Sequence, residues 1–322
     1  MPVPVLNGYR LGRKSYDRTR PNVMLRRLRG ATLSPPPARD WGCDAMDYMA
    51  LNDELGCCTM SAKSHILTGQ EFFGQSRGVV VPDSETLRGY SAVSGYDPKS
   101  GRNDNGATIQ DSYDYMRKVG YTVGGVTYRF ESFAELDVVD RRAGVDHDLV
   151  KTCIDAFGAV DIGMVFPDFA MDQFDNNQVW DYTPRMRYQE EGGHDVCLVG
   201  YGGSGAGSYY DCWTWSKRQR ITVPFVERFF EEFWTQGEKD WQRPDGTVPN
   251  GIDGASAQVQ FEQLTRASGP GWDGVGPVTP PVEPPVDPPV EPPVNQDSNW
   301  KMAAAIDDFA ARAAIWRIEN GV

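Results

Sequence analysis

The residues with the clearest chemical potential lie in the run from Asn52 to Leu67, NDELGCCTMSAKSHIL. Cys58 stands two residues after Gly56 and six after Asn52, at the head of a segment with apolar positions at helical spacing, including Ala62, Ile66 and Leu67. A thiol at a helix N-terminus faces unpaired backbone N–H groups and the positive end of the helix dipole, which predicts a depressed pKa and a reactive thiolate. His194 follows far downstream in GGHDVCLVGY, and a cysteine with a distant histidine supplies a nucleophile and its base. Of the other two histidines, His65 is seven residues beyond Cys58 on the same helix. Two turns separate them by ~10 Å, so His65 reads as a core residue rather than a base. His147 lies in a polar, acidic segment and is expected to be exposed.

These residues need elements to hold them. Cys58–Phe73, Gly106–Val119 and His147–Phe157 read as helices, the last two stopped by Gly120 and Gly158. Ala159–Phe166, Gly193–Tyr201 and Ser208–Trp215 read as strands, the latter two joined by the glycine-rich turn GGSGAG. Helices followed by a strand-rich half give an α+β protein with two lobes. If Tyr201 pairs with Ser208 in that hairpin, Cys197 falls opposite Cys212, although two reduced thiols are the expectation. Strand alternation in the same register puts Asp211, Trp213 and Trp215 on the face of His194.

The globular body is expected over 39–241. Residues 1–38 form a basic arm: positions 1–39 hold nine Lys/Arg against the single acid Asp17, while the whole chain has a net charge of −13. An acidic body argues against a nucleic-acid-binding domain, leaves the arm as the one segment suited to nucleic acid, and favours the arm folding back onto the body. Residues 242–276 are turn-rich with one short helix near 255–266. A PPV(E/D) repeat over 277–296 predicts a stiff polyproline II spacer. Residues 297–322 carry an apolar stripe, Met302, Ile306, Phe309, Ala313 and Trp316, which needs a protein partner or a second copy to cover it. No apolar run reaches transmembrane length and no secretory signal opens the chain, so cytoplasmic synthesis is expected. The six cysteines show no zinc-ligand spacing and no glycine loop suits a phosphate, so neither a metal nor a cofactor is expected. Carboxylate pairs such as Glu190-Glu191 and Glu231-Glu232 read as solvated faces.

Four colinear landmarks spanning about residues 40–230 resemble the papain-like cysteine peptidases. Asp40-Trp41, Asn52, Gly56 and Cys58 are similar to that family's approach to its nucleophile, with Asn52 in place of a glutamine. NDNGATIQDSYDYMRKVGY and HDLVKTCIDAFGAVDIGMVF resemble two further helix-entry and helix-to-strand runs. GGHDVCLVGYG followed by SYYDCWTWS resembles the histidine strand and its hairpin partner. The style also looks like a branch found in bacteria and their tailed phages. The resemblance implies a two-lobed fold, Cys58 as nucleophile rather than Cys57, His194 as base and Asn52 as an oxyanion donor. It implies hydrolysis of peptide or amide bonds in a peptide or protein substrate. Trp213 stands where the family's orienting asparagine belongs and Ser216 replaces a glycine. Asp211 is the candidate substitute for the asparagine and Trp215 the candidate shield of the histidine. The rival readings are a degenerate scaffold serving a virion through its appendages, and a cell-wall peptide amidase.

Overall fold

A computed structural model of the chain describes residues 4–15, 24–25, 34–140 and 144–252. The turn-rich extension beyond Ile252, the PPV(E/D) spacer and the C-terminal helix expected from the sequence lie outside the described residues. Among the described residues no helix is long and apolar enough to cross a membrane.

The centre of the fold is helix α1, Cys58–Gln75, which is buried along nearly its whole length. It carries many polar side chains for a core helix, and several have a local partner. Ser61 donates to the Ala50 carbonyl, Gln70 to the Phe157 carbonyl, and the His65 Nε2 pairs with the Tyr48 carbonyl at 2.9 Å. Buried polar groups cost little once partnered in this way. Burial holds His65 neutral, with its pKa lowered to about 4, as befits a core histidine. Ser76 ends the helix in the left-handed conformation.

Helices α2, Asp83–Ser94, and α3, Ile109–Lys118, complete the helical lobe around α1. Thr108 caps α3 by accepting from the Asp111 N–H at 3.0 Å. Helix α4 spans His147–Phe157, capped by Asp146 and closed by Gly158 in the left-handed region. Short helices α5, Asp168–Asp175, and α6, Val223–Phe229, follow.

The second lobe is built on an eight-stranded sheet. Its main strands are β1 (Ser132–Leu136), β2 (Val160–Pro167), β3 (Glu190–Gly202), β4 (Tyr209–Thr214), β5 (Lys217–Thr222) and β6 (Phe230–Gly237). They run antiparallel in the order β5-β4-β3-β2-β6-β1, with Met24–Leu25 parallel to β1 and Arg39–Asp40 beside β3. Strands β2 and β3 are buried on both faces, because α1 covers one side and the aromatic cluster around Phe166, Trp180 and Phe225 fills the other.

The β3–β4 hairpin corrects the expected register. Tyr201 pairs with Tyr210, and a bulge between Leu198 and Gly200 places Cys197 opposite Trp213 and Cys212 opposite Leu198. A short 3-10 turn over Gly205–Gly207 lengthens the loop and moves the pairing off the expected frame. All six cysteines are free. Glu232 also departs from expectation: its side chain is 2% exposed and paired with Arg13, because β6 lies inside the sheet. His147 is half-buried, held at 2.8 Å by both the Tyr210 hydroxyl and the Glu227 carboxylate rather than pointing into solvent.

Candidate active site

Cys58 is the first residue of α1, and His194 lies on β3 opposite Met164 of β2. Helix α1 packs on β3, so the helical lobe presents the thiol and the sheet lobe presents the imidazole. Cys57 turns away into the core, with its sulfur 3.5 Å from the Ala50 carbonyl and 3.4 Å from the Ser61 hydroxyl. The choice between the adjacent cysteines therefore has a geometric basis: only Cys58 faces the seam between the lobes.

A segment of the N-terminal arm lies in that seam. The Arg10 N–H donates to the Asn52 carbonyl (3.1 Å), Arg13 N–H to the Gly193 carbonyl (2.9 Å), and Lys14 N–H to the Ala107 carbonyl (2.8 Å). Ala107 in turn donates to the Gly12 carbonyl at 2.9 Å, so the arm forms a parallel bridge with the helical lobe. The approach is close enough to demand glycine. A Cβ on Gly12 would overlap the Gly56 carbonyl, and a Cβ on Gly193 would overlap the Arg13 carbonyl. Arg13 anchors the segment: its buried guanidinium pairs with Glu232 and, at 2.6 Å, with Glu231. Tyr9 packs on Trp215 with ring centroids 4.8 Å apart.

This burial reverses the expected state of the thiol. Backbone hydrogen bonds from Asp195 and Gly12 to the Cys58 sulfur favour thiolate, as does the Arg13 charge. Loss of water outweighs them and pushes the thiol up to about 12. Burial, aided by the Arg13 charge, lowers His194 to about 3. Both groups are thus neutral at pH 7, as thiol and imidazole. The Nδ1 of His194 has no hydrogen-bond partner, so the two are not bonded to each other in this state.

The group behind the imidazole is Thr214. Its Oγ1 lies 2.8 Å from His194 Nε2. With Nε2–H donating to the hydroxyl, Nδ1 keeps a free lone pair, the tautomer a proton acceptor requires. Trp215 stacks on the imidazole at 4.5 Å and 20°, and Phe166 meets it edge-on at 5.6 Å. The expectation for Asp211 fails. Its carboxylate is engaged by Arg220 at 2.9 and 3.1 Å, with Arg218 at 3.9 Å, on the side of β4 that faces β5. Alternation misassigned Asp211 because the bulge between Leu198 and Gly200 shifts β4 by one residue against the expected frame, which turns Asp211 away from His194 and Thr214 toward it. Trp215, just past the end of β4, takes a positive φ of 51°, which brings it onto the same imidazole as its neighbour Thr214.

Asn52 is 1% exposed, and its side-chain amide donates to the carbonyls of Arg10 (3.1 Å) and Leu55 (3.2 Å). One of its donors thus already holds a peptide carbonyl of the chain in the seam. Asp104, which sequence reading passed over, steadies this corner by accepting from Gly56 N–H (3.0 Å) and the Tyr90 hydroxyl (2.6 Å). A second cluster lies beneath the site. Lys63 pairs with Asp161 and, at 3.4 Å, with Asp195, the neighbour of His194, and sits 4.3 Å over the Tyr113 ring. All three charged side chains are fully buried. Burial and the adjacent Asp161 hold the Asp195 carboxyl well above the usual carboxylate range. The cluster ties α1 to β2 and β3 directly behind the thiol, with Lys63 of the helix paired to Asp161 and Asp195 of the two strands.

No protein-family model and no curated protein matches the sequence. Solved structures do match. The crystal structure of xylellain, a cysteine protease from Xylella fastidiosa, superposes with a TM-score of 0.52 at 15% identity, over 74% of this chain and 98% of that one. A structure from work on the mite allergens Blo t 1 and Der p 1 gives 0.47 at 16% identity, over 65% and 73% of the respective chains. Procathepsin L 3 from the larval midgut of Tenebrio molitor gives 0.47 at 13%, over 67% and 74%. The chain has the papain-like fold, with its helical and sheet lobes meeting at the Cys58–His194 seam.

Proposed function

We propose that the chain is a cysteine hydrolase of peptide or amide bonds, described here with its own arm across the reacting groups. The observation that carries this reading is the placement of an extended peptide backbone, Arg10–Lys14, between Cys58, His194 and Asn52. A seam that holds a main chain by paired N–H and C=O groups on both walls is suited to a peptide substrate. In the reaction, the Cys58 S–H proton passes to His194 Nδ1 as the sulfur adds to the substrate carbonyl carbon. The oxygen then carries the negative charge, met by the Cys58 backbone N–H at the helix N-terminus and the Asn52 amide. Collapse breaks the C–N bond, and His194 returns the proton to the leaving amine. Water, deprotonated by the same imidazole, then cleaves the thioester and regenerates the thiol.

One observation favours a second reading, a scaffold that no longer turns over. A threonine hydroxyl, not a carboxamide, lies behind His194, and both reacting groups are fully buried and neutral. Iodoacetamide labelling at mildly acidic pH of a chain whose arm is displaced by Gly12→Ala separates the two, followed residue by residue by mass spectrometry. For a hydrolase, Cys58 labels first among the six thiols, His194→Ala slows that labelling, and turnover of a fluorogenic peptide library disappears in Cys58→Ser. Slow, even labelling that ignores His194, with no peptide turnover, would establish the scaffold.

A further inference from the structure

Far from the thiol, three carboxylates converge. Glu71 comes from the last turns of α1, and Glu238 and Asp240 from the segment just after β6; one ligand oxygen from each lies within 4.8 Å of the others. Glu71 is fully buried and Glu238 is 6% exposed. Neither oxygen of Glu71 nor of Glu238 has a hydrogen-bond partner, and the cation paired with Glu71 is Arg77, at 3.4 Å and itself half-exposed. Buried carboxylates left in this way are costly unless something supplies positive charge or a proton.

From this geometry we propose that Glu71, Glu238 and Asp240 bind a divalent cation with a preference for oxygen ligands, calcium foremost. Three oxygens within 4.8 Å of one another lie at most ~2.8 Å from a common centre, close to the Ca²⁺–oxygen distance of ~2.3–2.6 Å, so one ion reaches all three side chains with little adjustment. Charge argues the same way. The groups around the cluster are the acids Glu71, Glu131, Glu238 and Asp240 and the bases Arg77 and Lys239, with Tyr128 beside Glu71, so acids outnumber bases four to two. The frame is already in place: Gln75 donates to the Asp240 carbonyl at 2.7 Å and the Gln242 carbonyl at 2.6 Å, and Gly74 packs against the Asp240 backbone.

The ion fastens the end of the body to the far end of α1. An 18-residue helix is ~27 Å long, so the effect falls on stability and not on the Cys58 thiol. The test is thermal unfolding of the full chain at pH 8 in EDTA, in excess CaCl₂ and in excess MgCl₂. Calcium at ~100 times its Kd should raise Tm by roughly 5–10 °C, with a smaller rise for magnesium. Glu238→Gln should abolish the calcium response, because it removes one of the two buried carboxylate ligands. Asp240→Asn, at a more exposed position, provides the second variant should the first not fold. Terbium luminescence excited through Trp241 reads occupancy directly, at one ion per chain. Equal Tm values in EDTA and calcium, no terbium signal, or a calcium shift that survives both variants would each overturn the assignment.

Discussion

Replacing Gly12 by alanine isolates what the arm does to the thiol. A Cβ at this position would overlap the Gly56 carbonyl and sit 2.7 Å from its Cα, both rigid backbone atoms at the entry to α1. The arm, held by its hydrogen bonds, Arg13 and the side chains of Tyr9 and Leu11 rather than by a regular element of its own, must give way around Gly12. With Gly12 displaced, water reaches the sulfur and the burial that raised its pKa from 9.0 to about 12 is relieved. At pH 7.5 the thiolate fraction is ~3 × 10⁻⁵ for a pKa of ~12 and ~3 × 10⁻² for one of ~9, a thousand-fold gain. A less basic thiolate is a weaker nucleophile, which at a Brønsted slope of ~0.45 takes back about twenty-fold. The net expectation is Cys58 alkylation about fifty-fold faster in Gly12→Ala, before any gain from access. Timed iodoacetamide quenches with peptide mass spectrometry follow all six cysteines at once. Buried Cys57, Cys153, Cys197 and Cys212 serve as internal controls for unfolding. A Cys58 rate equal to that of the native chain, or one that rises in step with Cys153, would refute the argument that arm burial holds the thiol neutral.

Two further outcomes follow from the side chains around the site. Thr214→Val leaves His194 Nε2–H without its acceptor, a loss of ~1–3 kcal/mol, so Cys58 alkylation in the Gly12→Ala background should fall about ten-fold or more while Thr214→Ser restores it; ¹⁵N NMR of the imidazole should show the Nε2–H tautomer only with a hydroxyl at 214, and equal behaviour of Val and Ser would remove Thr214 from its positioning role. Lys63→Met strands Asp161 and Asp195 without their cation and should cost ~3–5 kcal/mol in urea unfolding at pH 7. The variant should regain stability as pH falls, because burial already holds the Asp195 carboxyl above its unfolded value and a group raised in this way stabilises the fold fully only below that unfolded value; a loss under ~1 kcal/mol, or one that does not shrink in acid, would contradict it.

The sequence made the elements around the chemistry legible because their signals are local. Asp146 and Gly158 bracket α4 as cap and stop, and Gly56 and Cys58 mark the start of α1. What it did not reveal depends on partners far apart in the chain. Arg13 and Glu232 are 219 residues apart, and nothing near Glu232 distinguishes it from a solvated acid. Glu71 and Glu238 likewise meet only because β6 leads the chain back to the end of α1. Asp211 was misplaced for a different reason. Alternation gives the right face only in the right register, and the bulge between Leu198 and Gly200 slips β4 by one residue, which puts Thr214 and not Asp211 beside His194.

The arm and the site share one set of contacts, and this links reactivity to a single equilibrium. Gly12 excludes water from the Cys58 sulfur, the Arg13 charge disfavours an imidazolium on His194, and the Arg10 carbonyl occupies the Asn52 amide. Each contact withholds a different requirement of a cysteine–histidine reaction: the thiolate, the protonated base and a free oxyanion donor. All three are released together when the segment leaves, since Arg10 to Arg13 form one continuous run along the seam. What opposes release is concentrated at Arg13, whose buried pairing with Glu231 and Glu232 would be left uncompensated. A competing peptide therefore has to do two things at once. It must offer a backbone slim enough to pass Gly56 and Gly193, and it must either supply a cation for Glu232 or leave that carboxylate to take up a proton.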